Sequence, residues 1–303
     1  MEQEGLWGRR QMRVLVTGGA GRLGRRLVEM LTARGYEVDA ADTTDFDITD
    51  YEATRERIGA SGPQIVLHTA AWTDVDGCAR DPERAVRLNG LGAGNVALAA
   101  AAVGAALLYV SSNEVFDGRA SRPYGEYDRP APINPYGYSK WVGEQAVMQA
   151  LSRCYIVRTA WLFAHGGKNF IHSILRAAQA GQPLRVVIDE IANPTYNDDL
   201  AEAIIALIGT GRFGIYHLVN EGACSRYAFA RYALERAGLG HIPIEPIALS
   251  QWARPSTPPR FAPLQNLAAA SIGIALRPWQ QAVDAFLQRE GLLDGKDAAN
   301  DAC

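Results

Sequence analysis

Short apolar runs alternate with amphipathic stretches over the first half of the chain. Runs of strand length occur at residues 13–17, 36–41, 64–67, 105–110 and 155–158. Between them, apolar residues recur at helical spacing, which predicts helices over residues 22–34, 51–58, 82–102 and 136–151. Because strands that alternate with helices form right-handed βαβ units, the pattern predicts an α/β fold with a doubly wound parallel sheet.

The pattern changes after about residue 165, where the apolar runs become shorter and prolines more frequent. We predict a first domain over residues 12–165 and a smaller C-terminal lobe over residues 166–290. Segments near residues 195–220 are expected to return to the first sheet. Ser225 is expected to cap a helix of the second lobe. Residues 1–11 and 294–303 are expected to be loose termini.

A glycine-rich turn connects the first predicted strand to the first predicted helix, with the spacing Gly18-x-x-Gly21-x-x-Gly24. Glycine tolerates a positive φ and lets the backbone approach a pyrophosphate, and the start of the following helix offers N–H groups to that anion. A glycine-rich turn without a ligand is the alternative. The strand–turn–helix context, however, is that of a dinucleotide-binding, Rossmann-type domain. Arg22 and Leu23 lie inside the turn and belong to the predicted cofactor site.

Asp42, at the end of the second predicted strand, indicates the type of dinucleotide. A carboxylate there accepts hydrogen bonds from the adenosine ribose and disfavours a 2′-phosphate, so the sequence favours NAD(H). NADP(H) stays open because Arg22 could reach such a phosphate, and Asp42 could instead be an exposed loop residue. Asp47 and Ile48 are expected to edge the adenine, although Asp47 could equally cap a nearby turn.

Ser112, Tyr136 and Lys140 form a candidate catalytic group. Residues four apart on a helix share a face, so Tyr136 and Lys140 project side by side, and a nearby ammonium lowers the pKa of a phenol. Tyr136 could then give a proton to a carbonyl oxygen as hydride reaches its carbon, while the Ser112 hydroxyl bonds the developing alkoxide. The alternative is a buried tyrosine with a lysine at that spacing by chance. Tyr138 lies on a different face from Lys140.

Composition narrows the class of protein. The net charge of −3 gives no reason to expect a nucleic-acid partner or an anionic membrane. No apolar run approaches the roughly 20 residues that cross a bilayer, and residues 1–11 contain no apolar stretch of the signal-peptide type. The four cysteines have no CxxC spacing, which fits reduced thiols better than disulfides or a zinc site. We therefore expect a cytoplasmic protein without a metal, and the sequence is compatible with a homodimer.

These motifs resemble those of the extended short-chain dehydrogenase/reductase superfamily and, within it, the dTDP-4-dehydrorhamnose reductase family. The likeness extends from Met12 to about Leu287. The glycine turn and the Tyr-x-x-x-Lys spacing are shared by the whole superfamily. The stretches that are more specific to the reductase family lie at residues 68–76, 89, 135–144, 158–163, 169–170, 189, 194–201, 216–218 and 254–260.

The resemblance implies NAD(P)H-dependent reduction of the 4-keto group of a nucleotide-diphospho-deoxysugar, with dTDP as the expected nucleotide. Tyr136 and Lys140 would also contact the dinucleotide, which would be lined by Ala70, Ala71, Asn89 and Ser111. The C-terminal lobe would bind the sugar nucleotide, whose site would include Thr73, Trp161, Asn169, Thr195 and Arg260. Trp161 could instead fill the core, Asn169 cap a helix and Thr195 shape a turn.

One segment departs from the pattern of the reductase family. That family usually reads Ser-Thr-Asp-Tyr-Val-Phe after the fourth strand, whereas residues 111–116 read Ser-Ser-Asn-Glu-Val-Phe. An amide and a carboxylate there can accept hydrogen bonds from sugar hydroxyls, so Asn113 and Glu114 are predicted to contact the substrate and change its preferred sugar or stereochemistry. Alternatively, Glu114 points to solvent and the change is neutral.

Two other functions remain open at this point. Sugar-nucleotide dehydratases of the same superfamily carry Thr-Asp-Glu where this chain has Ser112-Asn113-Glu114, so a dehydratase or epimerase is the alternative enzyme. An amide at Asn113, however, cannot act as the acid of such a reaction. A non-catalytic NAD(P)-binding regulatory subunit is the alternative outside enzymes, because one such subunit, that of methionine adenosyltransferase, shares this fold. The presence of Ser112, Tyr136 and Lys140 disfavours it.

Overall fold

A parallel six-stranded sheet lies at the centre of the part of the chain that the computed structural model describes, residues 12–167 and 169–294. Numbered in chain order, the strands of this sheet and of the smaller two-stranded sheets are β1 (Arg13–Thr17), β2 (Glu37–Ala41), β3 (Ile65–His68), β4 (Ala106–Ser112), β5 (Cys154–Thr159), β6 (Leu162–Phe163), β7 (Leu184–Val187), β8 (Ile191–Ala192), β9 (Thr195–Tyr196), β10 (Gly214–His217), β11 (Cys224–Ser225) and β12 (Ile244–Ile247). The six-stranded sheet has the strand order β10-β5-β4-β3-β1-β2. Residues 1–11 and 295–303, which were predicted to be loose, lie outside the described residues.

Helices cover both faces of this sheet. The α-helices are α1 (Arg22–Ala33), α2 (Tyr51–Ser61), α3 (Val75–Arg80), α4 (Pro82–Ala85), α5 (Gly92–Ala102), α6 (Pro135–Ala150), α7 (Phe170–Gln179), α8 (Asn197–Ile208), α9 (Arg226–Arg236), α10 (Leu267–Ser271) and α11 (Trp279–Arg289). Helices α1 and α8 pack on one face, and α2, α5 and α6 pack on the other. Adjacent strand residues alternate between these faces, and both are buried, which is why the strands are apolar runs. The predicted α/β class with a doubly wound parallel sheet is confirmed.

The sheet has a crevice where its strand order reverses. Strand β1 lies between β2 and β3, so the chain turns to one side after the first strand and to the other side later. In open parallel sheets, ligands bind outside the carboxyl ends of the strands at such a point. The ends of β1, β2 and β3 are therefore where the structure is expected to hold a ligand.

The predicted helix over residues 82–102 is interrupted. Between α4 and α5, residues Val86–Leu91 form a π-helix. This segment packs closely against α6, because a Cβ on Gly90 would lie 2.8 Å from the Val142 side chain. The Tyr109 hydroxyl donates a hydrogen bond of 3.1 Å to the carbonyl of Asn89. The spacing of apolar residues could not predict this π-helical segment, because the chain stays helical through it.

The second lobe has its own core, formed by α7, α9, α11 and the paired strands β7 and β12. Aromatic residues dominate this core, among them Phe163, Phe229 and Phe286. Ser225 caps α9, as predicted, by accepting a hydrogen bond of 3.1 Å from the N–H of Ala228. Asp294, the first residue of the expected loose C-terminus, is held by a 2.8 Å bond from its N–H to the carbonyl of Arg236. A search of the described helices finds none long and apolar enough to span a membrane.

Candidate active site

The glycine turn between β1 and α1 is built by close backbone contacts. Gly18 has a φ of +73°, and a Cβ there would lie 2.7 Å from the backbone nitrogen of Ala70. A Cβ on Gly24 would overlap the carbonyl oxygen of Gly18. Gly21 precedes α1, and no side chain caps that helix. The first N–H groups of α1 therefore keep the capacity to bind an anion at this turn.

A cavity of about 370 Å³ lies beside the turn at the carboxyl ends of β1, β2 and β3. It brings together six residues predicted from the sequence, namely Gly18, Asp42, Asp47, Ile48, Ala70 and Ala71. Its other lining residues are Thr17, Ala41, Thr43, Phe46, Trp72 and Leu88. An apolar cavity with a few carboxylates and backbone groups at its rim suits a planar base and a ribose. Sequence analysis missed the aromatic walls because Phe46 and Trp72 lie in loops without a pattern.

Asp42 connects the end of β2 to the glycine turn. Its carboxylate accepts hydrogen bonds from the N–H groups of Ala20, at 2.9 Å, and Thr43, at 2.8 Å. Burial raises the pKa of Asp42, but these hydrogen bonds outweigh burial and hold the pKa below its ordinary value. Asp42 is therefore ionised at neutral pH and lines the cavity as an anion.

Asp47 caps a turn and also lies where it could edge an adenine. It lines the cavity, and its Oδ1 also accepts a 2.8 Å hydrogen bond from the N–H of Thr49. Of the two residues inside the glycine turn, Arg22 is exposed, whereas the side chain of Leu23 is buried in the core under the sheet. The Leu23 side chain therefore packs in the core, and the prediction that Leu23 binds the cofactor applies to its backbone only.

Two other residues predicted to line the dinucleotide, Asn89 and Ser111, form hydrogen bonds within the protein. The Asn89 amide accepts a 2.7 Å hydrogen bond from the N–H of Trp72 and donates a 3.0 Å bond to its carbonyl. It therefore fixes the loop that forms the cavity wall and does not face the cavity. The Ser111 hydroxyl donates a 2.5 Å hydrogen bond to Glu144 and is buried. Internal partners therefore occupy both of these polar groups, and the contact of Asn89 and Ser111 with a dinucleotide stays a prediction.

Ser112 and Tyr136 meet at the carboxyl end of β4. The first turn of α6 packs directly on the loop after Ser112, since a Cβ on Gly137 would overlap the carbonyl oxygen of Glu114. Asn134 caps this helix by accepting a 2.8 Å hydrogen bond from the N–H of Gly137. The Tyr136 hydroxyl is hydrogen-bonded to the Ser112 side chain. Two hydroxyl groups therefore converge at the edge of the sheet where a ligand binds.

Lys140 follows Tyr136 by one turn of α6 and is 2% exposed. Its ammonium lies 4.2 Å from the centre of the Tyr109 ring. Burial lowers the pKa of Lys140 to about 7, although the nearby Glu144 carboxylate acts against this shift. Burial also raises the pKa of Tyr136 well above its usual range, and the charge of Glu114 raises it further. The expectation that Lys140 lowers the pKa of Tyr136 is therefore wrong for these protein groups alone, because burial and the charge of Glu114 keep that pKa raised.

A buried ion pair lies beneath this group. Glu144 and Arg158 are 0% and 2% exposed, and their side chains form hydrogen bonds of 2.8 and 2.7 Å. Ser111 donates a third hydrogen bond to the same carboxylate. The pair joins α6, which carries Lys140, to β4 and β5, so it fixes the helix against the edge of the sheet.

Glu114 faces the second lobe. Its Oε2 accepts a 2.7 Å hydrogen bond from the amide of Asn134. Burial raises the pKa of Glu114 to about 7, the Asn134 bond acts against this, Glu190 adds to it, and Arg254 and Arg226 oppose it. Three charged side chains of the second lobe, Glu190, Arg226 and Arg254, therefore act on the pKa of Glu114. Arg254 lies in the stretch 254–260 that the resemblance singled out. Glu190, Arg226 and Asn134 were not predicted as site residues from the sequence, because they come from distant segments without a common motif.

Trp161 and Arg226 form one wall on this side. The Arg226 guanidinium lies 3.6 Å from the centre of the Trp161 ring and makes a 3.0 Å ion pair with Glu190. Trp161 has a φ of +40°, which costs free energy for a side chain of this size. Trp161 also packs against Phe229 of the second core. The core role considered for Trp161 is therefore observed, and its contact with a sugar nucleotide stays a prediction.

The other predicted substrate residues differ in their surroundings. Asn113 donates a 3.1 Å hydrogen bond to the carbonyl of Ala262, and Thr195 is fully buried and bonded to the carbonyl of Asn193. Asn169 caps α7 by accepting a 2.9 Å bond from the N–H of His172. These three side chains are engaged within the protein, so the structural roles considered for Asn169 and Thr195 are the ones observed. The reason is again that each amide or hydroxyl has an internal partner.

Thr73 and Arg260 are exposed. Arg260 forms an ion pair with Asp189 and lines a separate cavity of about 420 Å³, together with Arg254 and Trp252. The loop that carries these residues is attached to the first half of the chain by a 2.9 Å ion pair between Arg254 and Asp76. Within residues 12–167 and 169–294, no group of three or more His, Cys, Asp or Glu side chains is placed to hold a metal ion.

Comparisons with known proteins agree with this arrangement. Residues 12–291 match the family model described as RmlD substrate binding domain. The spore coat polysaccharide biosynthesis protein SpsK of Bacillus subtilis is 38% identical over 276 residues, which cover 91% of this chain and 97% of SpsK. A dTDP-4-dehydrorhamnose reductase of Mycolicibacterium smegmatis is 37% identical over 276 residues, covering 89% of this chain and 84% of that protein. The crystal structure of a dTDP-4-dehydrorhamnose reductase of Bacillus anthracis in complex with NADP has a TM-score of 0.89 and 34% identity, covering 92% of this chain and 99% of that one.

Proposed function

The chain belongs to the RmlD substrate binding domain family, and on this basis we propose that it is an NAD(P)H-dependent oxidoreductase that reduces the 4-keto group of a nucleotide-diphospho-deoxysugar. The observation that carries the proposal is the hydrogen-bonded pair of Ser112 and Tyr136 at the same sheet edge as the glycine turn. A proton donor next to a dinucleotide site is what carbonyl reduction requires.

The glycine turn fits a dinucleotide. A side chain at Gly18 or Gly24 would overlap the backbone of Ala70 or of Gly18, so only glycine allows this tight turn, and α1 begins there without a side-chain cap. Ala70, Ala71, Asp47 and Ile48 would line the adenosine. When bound, NAD(P)H supplies the hydride for the carbonyl carbon. Asn89 would support the bound dinucleotide indirectly, by fixing the loop at Trp72 that forms part of the cavity wall.

In the proposed mechanism, Tyr136 donates its proton to the carbonyl oxygen and Ser112 donates a hydrogen bond to the same oxygen as negative charge develops there. Lys140 would hold the cofactor ribose and stabilise the phenolate that Tyr136 leaves. Because burial lowers the pKa of Lys140 to about 7, its charge depends on Glu144 and on the ligands that enclose it. This makes Lys140 the group whose protonation limits the reaction at alkaline pH.

We propose that Asp42 gives the protein a preference for NADH. Its ionised carboxylate at the cavity rim can accept hydrogen bonds from ribose hydroxyls and repels a 2′-phosphate. The Bacillus anthracis relative was crystallised with NADP. The preference for NADH is therefore proposed for this chain only. The ratio of kcat/KM with NADH to kcat/KM with NADPH measures it.

The substrate is proposed to be linked to dTDP, as the name of the Mycolicibacterium smegmatis relative states for that protein. The wall of Trp161, Arg226 and Glu190 offers a stacking surface and charged partners for a sugar nucleotide. Asn113 is bonded to Ala262, so Glu114 is the residue of the divergent segment that we expect to influence the choice of sugar.

A dehydratase is less well supported. The position that would need an acid is occupied by the Asn113 amide, which does not titrate and which is bonded to a backbone carbonyl. A non-catalytic dinucleotide-binding subunit would have no use for the Ser112–Tyr136 pair.

The test is turnover of dTDP-4-keto-6-deoxy sugars with NADH and with NADPH, followed by identification of the product by NMR. We expect cofactor oxidation to equal the amount of 4-hydroxy product formed. Binding of either dinucleotide without turnover of any sugar of the panel would favour the non-catalytic subunit, and loss of water from a 4-hydroxy sugar would favour the dehydratase.

A further inference from the structure

We propose that Glu114 is a general base that removes a proton from a carbon next to the carbonyl group of the keto sugar, so that the site catalyses enolisation and hydrogen exchange as well as reduction. This rests on the proposed function, since the same site must bind a keto sugar. It adds an activity that reduction does not require.

The position of Glu114 supports this role. Glu114 immediately follows the Ser112 loop, and its charge is close enough to Tyr136 to raise the pKa of that tyrosine. A carbonyl group bonded to Ser112 and Tyr136 therefore has Glu114 near one side. The neighbouring carbons of a sugar lie within a bond length of that carbonyl, so their hydrogens are the nearest acidic C–H groups.

The hydrogen bonds of Glu114 leave part of the carboxylate available. Oε2 accepts the 2.7 Å bond from Asn134, and the same amide also donates a 3.1 Å bond to the carbonyl of Thr257. Asn134 is itself fixed as the cap of α6. The carboxylate is thus oriented through one oxygen by a rigid amide, which leaves Oε1 as the oxygen to accept a proton.

The charges around Glu114 favour a base that is active near neutral pH. Glu190 is the like charge that acts on Glu114, and Arg226 and Arg254 are the opposite charges that act on it from the second lobe. Burial is the largest influence and raises the pKa of Glu114 to about 7. A base with this pKa is a much stronger proton acceptor than an exposed glutamate and is still substantially ionised at pH 7.

The step is balanced without a redox partner. Glu114 takes the proton of the C–H bond, the electron pair of that bond forms a carbon–carbon double bond, and the carbonyl π pair moves to oxygen. That oxygen takes the proton of Tyr136, which gives an enol. In the reverse step Tyr136 recovers its proton and the carbon receives a proton from Glu114, which has exchanged with solvent. The keto sugar is regenerated with a solvent hydrogen.

The experiment uses dTDP-4-keto-6-deoxyglucose in D₂O with saturating NAD⁺, which fills the cofactor site but cannot donate a hydride. Deuterium in the recovered sugar is measured by mass spectrometry, beside a sample without enzyme. We expect the wild-type protein to accelerate incorporation and Glu114→Gln to lower the enzymatic rate roughly 100-fold or more, the usual scale for loss of an acid–base group. The exchange rate should rise between pH 6 and pH 8 as Glu114 ionises.

Two further variants separate a base from a structural residue. Glu114→Asp keeps a carboxylate and should exchange faster than Glu114→Gln, which also covers the case in which the glutamine variant folds poorly. Glu245→Gln removes an exposed carboxylate of β12 that is paired with Arg185, and it should exchange and reduce like the wild type.

The outcomes for the two proposals are distinct. Reduction by the wild type without deuterium incorporation above the enzyme-free rate would overturn the role of Glu114 and leave the reductase intact. Equal exchange by wild type and Glu114→Gln would also overturn it. Absence of reduction with both NADH and NADPH would instead contradict the proposed function, whatever the exchange rate.

Discussion

The proposed dinucleotide half of the site is built from backbone, whereas the proposed substrate half is built from side chains. In the first half, the glycine turn packs its backbone against Ala70, and Asp42 is held by N–H groups. In the second half, charged side chains are held in ion pairs, within the C-terminal lobe in the case of Glu190 with Arg226 and between the two parts of the chain in the case of Asp76 with Arg254.

This difference determines what each half can change. A backbone site needs glycine at fixed positions, because any side chain would occupy the space of the ligand or of the neighbouring loop. A side-chain site can alter its charge or shape by single substitutions while the fold stays the same. We therefore expect the cofactor half to tolerate few substitutions and the substrate half to be the part in which specificity changes.

The largest expected effect comes from Tyr136, which lies where the two halves meet. Tyr136→Phe keeps the ring and removes the proton donor, so turnover should fall by roughly 100-fold or more, with dinucleotide affinity nearly unchanged. Initial rates of NADH oxidation and titration calorimetry measure the two quantities. Tyr138→Phe, on the same helix and 47% exposed, is the matched control and should keep wild-type turnover. Wild-type turnover in Tyr136→Phe would remove Tyr136 from the mechanism.

Stability should depend on pH through buried groups in both halves. Burial lowers the pKa of His68 and of His217 to about 3, so both stay neutral in the folded protein when the unfolded chain protonates them below about pH 6.5. Burial also raises the pKa of Glu114 to about 7, so the folded protein keeps one proton that the unfolded chain loses above about pH 4.5. From pH 6.5 to 4.5 the unfolded chain thus binds about one net extra proton.

As the pH is lowered from 6.5 to 4.5, the free energy of unfolding should therefore fall by about 1.4 kcal/mol for each pH unit. Urea unfolding at several pH values measures this slope. Glu114→Gln removes the opposing proton, so its slope should be about twice as steep. A slope that is unchanged in Glu114→Gln would show that the carboxyl titrates near its ordinary pKa and that burial does not control it.

A side chain in the backbone-built half should weaken dinucleotide binding. The Cβ of Gly24→Ala would overlap the Gly18 carbonyl, and relief of such overpacking typically costs about 1–3 kcal/mol. We expect NADH affinity to fall roughly 10-fold or more, as measured by fluorescence titration. The control is Gly59→Ala in α2, where a Cβ meets nothing within 4 Å and alanine is the better helix former. Equal NADH affinity in the two variants would show that the turn adapts.

The smallest expected effect tests Asp42, one of the two carboxylates that line the cavity of the cofactor half. Asp42→Ala should weaken NADH more than NADPH, because it removes an acceptor for the ribose and a charge that repels the 2′-phosphate; the ratio of the two dissociation constants should change by about 10-fold. Asp50→Ala removes the cap of α2 outside the cavity and should leave that ratio unchanged. If wild-type protein already binds NADPH much more tightly than NADH, Asp42 does not govern the choice.

The cofactor half could be predicted from the sequence because its signals are local. The glycine spacing, the preceding strand and Asp42 lie within residues 13–42, and the cavity lies where these features predict it. The same reasoning could not tell which polar side chains face a ligand. Asn89 and Ser111 have internal partners that come from residues 17 and 33 positions away.

The substrate half was the harder part to predict. Arg226, Glu190 and Asn134 are far apart in the chain, and each belongs to a segment whose own pattern is only that of a helix start or a short strand. The charge of Glu114 depends on burial by such distant segments. Sequence analysis could therefore single out Glu114 as unusual but not its raised pKa or its partners.

The buried pair of Glu144 and Arg158 limits how the sequence of this protein can change over time. Loss of either partner alone leaves an uncompensated charge in the core, at a typical cost of about 3 to 5 kcal/mol, which is a large part of the stability of an ordinary domain. Replacement of both by apolar residues of similar volume has no such cost. These two positions, 14 residues apart, are therefore expected to change together or to stay as they are. In a set of related sequences, they should form a covarying pair that connects the catalytic helix to the sheet.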